Sequence, residues 1–204
     1  MSKYKQHPNG TLQLINPPKI DYTGYWEVQG RSTLIEQRYN VHGYKSNGQT
    51  KAEAVLKYAV GSTLLEIGCA PASLLKLAKE KGFTAEGIEP DKKYIQELEQ
   101  YSGCKVHQGY FPLKLKKKYD TIIAMDVFEH IEDGQGFIDA CRGLLKKDGV
   151  IIFMMPIIMN DGLFDENMKM DEHVWLYSEN HLREWLKPIA IERWYLGHEI
   201  IVFN

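Results

Sequence analysis

From residue 62 onward, short apolar runs alternate with amphipathic ones, and this alternation restricts the fold more than any other feature of the chain. Thr63-Leu64-Leu65-Glu66-Ile67 reads as a strand, and Ser73 to Lys81 as a helix with Leu74, Leu75, Leu77 and Ala78 on its inner face, closed by Gly82. Thr84 to Glu89 is a second strand, and Asp91 opens the next helix with an acid suited to the N-terminal dipole. Cys104 to His107, Asp120 to Met125 and Val150 to Met155 follow as further strands, with a helix from Gly136 to Lys146 before the last. Apolar strands separated by amphipathic helices predict a doubly wound, mostly parallel α/β sheet covered on both faces.

The tail changes the pattern. After a helix from about Glu179 to Leu186, Ile189 to Tyr195 and Glu199 to Phe203 are strands joined only by Leu196-Gly197-His198. So short a link makes an antiparallel hairpin, and a seven-stranded sheet is expected. Upstream, a helix is expected from about Gln49 to Ala59, ended by Gly61. Residues 1–47 are rich in Tyr, Gly, Asn and Pro with little periodicity, and read as an arm or cap on a domain of residues 48–204.

Composition narrows the remaining choices. The 204 residues are 44% hydrophobic and 25% charged with a net charge of -2, which suits one globular core and disfavours a general nucleic-acid coat. No run approaches the ~18 consecutive apolar residues of a membrane span, and the polar start MSKYKQHPNG lacks a secretory apolar stretch. Cys69, Cys104 and Cys141 are odd in number without CxxC spacing, so free thiols and a cytoplasmic setting are expected.

The turn Gly68-Cys69-Ala70-Pro71-Ala72 lies between the first strand and first helix, where small residues let the backbone approach a ligand. Glu89 ends the next strand, where an acid can accept hydrogen bonds from both hydroxyls of a ribose. A dinucleotide-binding dehydrogenase fingerprint is disfavoured, because its last glycine is replaced by Ser73. The pairing resembles the class I S-adenosylmethionine-dependent methyltransferases, whose first motif runs E/D-x-G-x-G-x-G. The resemblance covers about residues 50–204, including the Lys147-Asp148-Gly149 turn and the hairpin, and implies a Rossmann-like methyltransferase fold. Ala70 and Ala72 replace the second and third glycines, which suffices where neither position takes a positive φ.

The resemblance implies S-adenosylmethionine as cofactor. It places Glu66 and Gly68 near the methionine part, Cys69 in the turn, Ala70 under the ribose, and Glu89 with Pro90 at the ribose hydroxyls. Gly109, Tyr110 and Phe111 would flank the adenine, with the aromatics either stacking on it or joining the core. Asp126 would lie beside the methyl donor.

Asp126-Val127-Phe128-Glu129-His130 looks like the D/E-V-x-E-H segment of the subgroup containing quinone O-methyltransferases and plant small-RNA 3′-end methyltransferases. In that subgroup the acids and histidine, with a later histidine matched here by His173, bind a divalent metal. A helical turn would put Asp126, Glu129 and His130 on one face, and carboxylates with imidazoles suit Mn²⁺, Fe²⁺ or Zn²⁺. Without a metal, His130 or His173 is the natural general base, and each can equally be a structural histidine. The run Lys114, Lys116, Lys117 and Lys118 reads as a solvated turn.

Three functions compete. The first is methylation of a small hydroxylated metabolite or a sugar, with the arm and a lid of about residues 157–177 choosing the acceptor; Tyr22, Tyr25, Trp26, Arg38, Tyr39, His42, His173 and Trp175 lie there. The second is metal-dependent RNA 3′-end methylation. The third is a cofactor-binding protein without transfer activity, suggested by the two alanines.

Overall fold

The computed structural model describes residues 3–23, 44–160, 172–194 and 198–204. Its frame is a seven-stranded sheet. In chain order the strands are β3 (Thr63–Ile67), β4 (Thr84–Glu89), β5 (Lys105–Gln108), β6 (Tyr119–Met125), β7 (Leu145–Pro156), β9 (Ala190–Arg193) and β10 (His198–Phe203). They lie in the order β5-β4-β3-β6-β7-β10-β9. The first five are parallel, with Ile67 of β3 opposite Ile88 on one side and Ala124 on the other. β10 runs antiparallel to both β7 and β9, so the expected terminal hairpin is present. Strand order reverses between β3 and β6, and in such sheets the ligand crevice opens at the carboxyl ends of the strands beside that reversal.

Helices α1 (Tyr44–Leu56), α2 (Ser73–Glu80), α3 (Ile95–Ser102), α4 (Gly134–Leu144) and α5 (Glu179–Leu186) complete the domain. Leu74, Leu75 and Ala78 of α2 join one apolar cluster with Ala52 and Val55 of α1 and Leu98 of α3. Phe137, Ile138 and Cys141 of α4 and Leu182 of α5 join the cluster on the other face, around Phe128, Phe153 and Phe203. Phe128 stacks on both Phe153 and Tyr177, at ring distances of 4.6 and 5.2 Å. All three cysteines are buried free thiols.

Several boundaries differ from the sequence reading. α1 ends at Leu56 rather than Ala59, because Tyr58 and Ala59 donate their N–H groups to Val55 and Leu56 in a tighter turn. β7 begins at Leu145, since Tyr119 pairs with Leu145 before an irregularity restores the register at Thr121 and Val150. Asp91 caps a single 3-10 turn at Lys92–Tyr94, its side chain accepting from the Lys93 N–H, and α3 follows at Ile95. The link Leu196-Gly197 lies outside the described residues.

The arm was expected to be irregular, yet part of it is a sheet. β1 (Tyr4–Gln6) and β2 (Leu12–Leu14) form a hairpin, and β2 pairs with β8 (Trp175–Leu176) at Leu12–Leu176 and Gln13–Trp175. The connecting turn docks on the start of α5: Ser178 Oγ donates to the Asn9 carbonyl, and Asn9 Nδ2 meets His181 Nδ1 at 2.8 Å. Strands of two or three residues show no period, so local reading had nothing to detect. Tyr25, Trp26, Arg38, Tyr39 and His42, and residues 161–171 of the expected lid, lie outside the described residues.

The lysine run divides. Leu113 and Leu115 turn toward the core while Lys114 and Lys116 stay exposed. Lys117 reaches back to Glu86, whose buried carboxylate also meets His107 Nε2 at 2.7 Å and accepts from Tyr119 Oη at 3.1 Å. Burial pushes the Glu86 carboxyl up, and these three partners outweigh it, holding it at about 2. One lysine of the run is therefore a structural partner of a buried charge.

Candidate active site

The turn after β3 is held on the end of β4, since Gly68 and Cys69 both donate to the Ile88 carbonyl at 2.9 and 3.1 Å. Gly68 has φ 71°, and a Cβ there would lie 2.6 Å from Val127 Cγ2. Glycine is thus required twice over, by conformation and by contact with the turn after β6. Across the strand, a Cβ on Gly87 would lie 2.5 Å from Cys69 Sγ, so its absence lets this turn seat on β4.

The two alanines behave differently. Ala70 keeps a negative φ, as expected, whereas Ala72 has φ 66° and ψ 21° at the start of α2. The expectation that neither position needs a positive φ is therefore corrected at Ala72. The turn must reverse there to aim α2 back along the sheet, and alanine accepts about 1–2 kcal/mol of left-handed strain.

Two acids line this half. Glu66 is buried, accepts from the Leu75 N–H, and its Oε2 has no hydrogen-bond partner. Burial, with Glu89 nearby, pushes its carboxyl well above the usual range. Glu89 ends β4 and is also buried; burial raises its carboxyl to about 7 against the N–H groups of Asp91 and Ala70. Pro90 follows, its carbonyl accepting from Gln108 Nε2 at 3.2 Å.

Beyond β5, Gly109 donates to the Glu89 carbonyl at 3.0 Å. The two following aromatics part company. Phe111 packs edge-on to Phe137 at 5.0 Å, on the core side. Tyr110 is exposed and engages the arm, its hydroxyl donating to Asp21 Oδ1 and accepting from the Tyr22 N–H, each at 3.2 Å.

The turn after β6 carries the second group. Asp126 has φ 54° and donates its N–H to the Met154 carbonyl. This reversal separates it from the two residues expected beside it. Its Oδ2 meets Lys51 Nζ of α1 at 2.6 Å, and its Oδ1 meets His198 Nε2 at 3.2 Å. Desolvation pushes the Asp126 carboxyl up, and these two partners more than offset it, leaving it well below the usual range.

A 3-10 turn at Phe128–His130 then brings Glu129 and His130 to His173, with one potential ligand atom from each lying within 4.8 Å of the others. The single face expected for Asp126, Glu129 and His130 is thus replaced by a trio without Asp126.

Within the trio, His130 Nδ1–H donates to the Glu172 carbonyl at 2.7 Å, which leaves Nε2 as the lone-pair nitrogen. Burial lowers the His130 imidazole. Burial, reinforced by His130, lowers His173 to about 4, so both rings are neutral near pH 7. Glu129 Oε2 and His173 Nδ1 are buried without hydrogen-bond partners. Burial and then the Asp126 charge push the Glu129 carboxyl up.

Neutral imidazoles, a carboxylate, orphaned buried atoms and a carbonyl behind His130 are the donor set and support that a divalent transition metal takes. The residues therefore fit the metal implied by the subgroup. Tyr22 stands edge-on to His130 at 6.1 Å.

Sequence reasoning missed Lys51 and His198. The hairpin offered a signal for His198, since the start of a strand antiparallel to β7 must lie at the crevice edge. Nothing in the sequence marks Lys51.

Comparison with known proteins places this arrangement. Residues 39–189 match a family model described as a methyltransferase domain. A ubiquinone biosynthesis O-methyltransferase of Actinobacillus pleuropneumoniae is 28% identical over 157 residues, covering 72% of this chain and 56% of the relative. One from Salmonella paratyphi A is 30% identical over 148 residues, covering 70% and 50%. The chain thus spans little more than half the length of these curated relatives.

Among solved structures, a Pyrococcus horikoshii protein aligns with TM-score 0.65 at 18% identity, covering 90% of this chain and 99% of that one. Magnesium protoporphyrin IX methyltransferase from Synechocystis with bound SAH aligns with TM-score 0.63 at 18% identity, covering 87% and 95%. These structures share the fold. With the family model matching 151 of 204 residues (39 to 189 inclusive), the chain belongs to the methyltransferase-domain family.

Proposed function

We propose that this chain transfers the methyl group of S-adenosylmethionine to a hydroxyl oxygen of a small metabolite. The observation that carries the reading is the contact between Gly68 and Val127: it joins the turn suited to the donor to the turn that carries Asp126, Glu129 and His130. Glu89 offers a carboxylate to the ribose hydroxyls, and Glu66, with an unpartnered buried oxygen, suits the cationic methionine end. Pro90, Gly109 and Tyr110 border the nucleoside, and Phe111 supports them from the core. Displacement at a sulfonium depends chiefly on alignment of oxygen, carbon and sulfur, which two abutting turns on one sheet edge supply.

His130 and His173, both neutral, face the acceptor in this reading and receive its oxygens. A divalent metal held by Glu129, His130 and His173 would bind acceptor oxygens and acidify a hydroxyl. The relatives named as ubiquinone biosynthesis O-methyltransferases favour an aromatic hydroxyl, as does Tyr22 beside His130. The described part of the arm, docked on β8, then borders the acceptor and helps to select it. The same trio is the one observation favouring RNA 3′-end methylation, for which activity on RNA strictly requiring added metal would be diagnostic.

The test is transfer from methyl-tritiated S-adenosylmethionine to a panel of phenols, catechols and sugars. Label in a catechol or phenol bears the proposal out. Binding of S-adenosylhomocysteine without transfer to any acceptor overturns the catalytic reading. Among the described residues no helix is long and apolar enough to cross a membrane.

A further inference from the structure

The site residues implied by resemblance lie at the ends of β3 and β4, on the turns after β3, β4, β5 and β6, and at His173, and none of them is on β10. His198, the first residue of β10, nevertheless stands at the same edge. It pairs with Pro156 at the end of β7, and because β10 runs antiparallel to β7, its start lies beside the carboxyl ends of the parallel strands. His198 Nε2 lies 3.2 Å from Asp126 Oδ1. With a carboxylate as partner, Nε2 carries the hydrogen and Nδ1 the lone pair. That Nδ1 is buried and has no hydrogen-bond partner.

A histidine kept only for an ion pair gains nothing from an orphaned second nitrogen, which is costly when buried. The carboxylate behind the ring is itself fixed. Lys51 holds its other oxygen at 2.6 Å, and the left-handed backbone at Asp126 turns it away from Glu129 and toward β10. His130 is arranged differently: its Nδ1 is tied to the Glu172 carbonyl rather than to a carboxylate, and burial outweighs the charges of Glu172 and Asp126, so its imidazole is lowered where that of His198 is raised.

We propose that His198 Nδ1 receives the acceptor hydroxyl and takes its proton, with Asp126 orienting the ring and Lys51 orienting Asp126. The inference rests on the transferase reading above and adds the proton's destination to it. The acceptor O–H bond breaks and its proton passes to Nδ1, while an oxygen lone pair bonds to the donor methyl carbon. The carbon–sulfur bond breaks and its electron pair stays on sulfur, leaving a neutral thioether. The imidazolium rests against the Asp126 carboxylate and loses its proton to water after the methylated product leaves.

The groups facing His198 come from three further elements. Asp126 and Glu129 on the turn after β6 favour its protonated form, whereas Lys51 on α1 and His173 before β8 oppose it. Burial lowers the imidazole and Asp126 outweighs that, so His198 titrates above the ordinary histidine value. Activity therefore rises with pH through a raised imidazole titration.

The experiment uses the full chain, S-adenosylmethionine with catechol and 3,4-dihydroxybenzoate as probe acceptors, and calorimetry with S-adenosylhomocysteine. His198→Gln is expected to lower kcat about 100-fold, to abolish the acidic limb of the pH profile, and to leave S-adenosylhomocysteine affinity within about twofold of wild type. Asp126→Asn is expected to move that limb to lower pH. Unchanged kcat in H198Q overturns the proposal, and so does a parallel loss of S-adenosylhomocysteine binding, which would mark a structural role.

Where the wild-type chain binds S-adenosylhomocysteine but methylates neither probe, the acceptor reading fails, and His198 is judged from carbon-13 NMR of its ring. A titration that moves to lower pH in Asp126→Asn supports the dyad, and one indifferent to that substitution overturns it. Failure of S-adenosylhomocysteine to bind at all overturns both readings.

Discussion

The two sides of the crevice are built in opposite ways. The proposed donor side comes from consecutive pieces of chain: the turn after β3, the end of β4 and the turn after β5, tied by backbone hydrogen bonds such as those from Gly68 and Cys69 to Ile88 and from Gly109 to Glu89. The proposed acceptor side gathers Lys51, the segment Asp126–His130, His173 and His198 from four distant stretches, through side chains. Among the described residues, three of its buried polar atoms, Glu129 Oε2, His173 Nδ1 and His198 Nδ1, lack hydrogen bonds, and on the other side Glu66 Oε2 lacks one as well. A backbone-built half suits a ligand that never changes. A side-chain-built half with unsatisfied groups suits a ligand that varies between relatives, and it can be altered without disturbing the other.

This independence can be broken by substitution. Gly68→Ala combines left-handed strain with a clash against Val127, so we expect a stability loss of about 3 kcal/mol and loss of S-adenosylhomocysteine binding. Chemical denaturation and calorimetry measure both, and a variant that binds normally would mean that the turn is not the donor site.

His173→Ala is expected to reduce transfer about 100-fold while leaving donor affinity unchanged. Weakened donor binding there would erase the distinction between the two sides.

Glu89→Gln is expected to weaken S-adenosylhomocysteine binding about tenfold or more, the loss of one charge-assisted hydrogen bond. In the wild type the sign of the pH dependence follows from the raised carboxyl of Glu89. Ribose hydroxyls donate to the ionised form, so affinity rises as pH increases toward about 7 and levels off above it. In the free protein the same group destabilises the fold as pH rises from 4.5 to about 7. Glu89→Gln removes this residue's share of both trends, which calorimetry and denaturation at pH 5.5, 6.5 and 7.5 would reveal as a weaker pH dependence than in the wild type.

Ala72→Gly is expected to change stability by less than about 1 kcal/mol, because relief of backbone strain is offset by loss of a buried methyl group. A larger gain would identify Ala72 as a strained position on the donor side.

The same contrast explains what the sequence disclosed. The sheet, its hairpin and the turn at Gly68 follow from hydrophobic period and from residue types within a few positions of one another. Glu89 was legible because it sits at a fixed place, the end of the second strand of the parallel set. The partition of Asp126 from Glu129 and His130 was not, because it depends on one backbone reversal and on two partners, Lys51 and His198, brought by α1 and β10. The small sheet of β1, β2 and β8 was hidden for a related reason, since its pairing joins Leu12 to Leu176 across most of the chain. Ala72 shows a third kind of miss: its residue type suggested ordinary backbone, and the geometry of the turn overrode that preference.

The central claim is that Gly68, Glu66 and Glu89 form an S-adenosylmethionine site on this chain. Titration of S-adenosylhomocysteine into the wild-type protein and Glu89→Gln, followed by calorimetry at pH 7.5 and 5.5, tests it most directly. One molecule bound per chain, weaker at the lower pH in the wild type and less dependent on pH in the variant, is the expected result. Absence of binding, or equal affinity and equal pH dependence in both proteins, would contradict it.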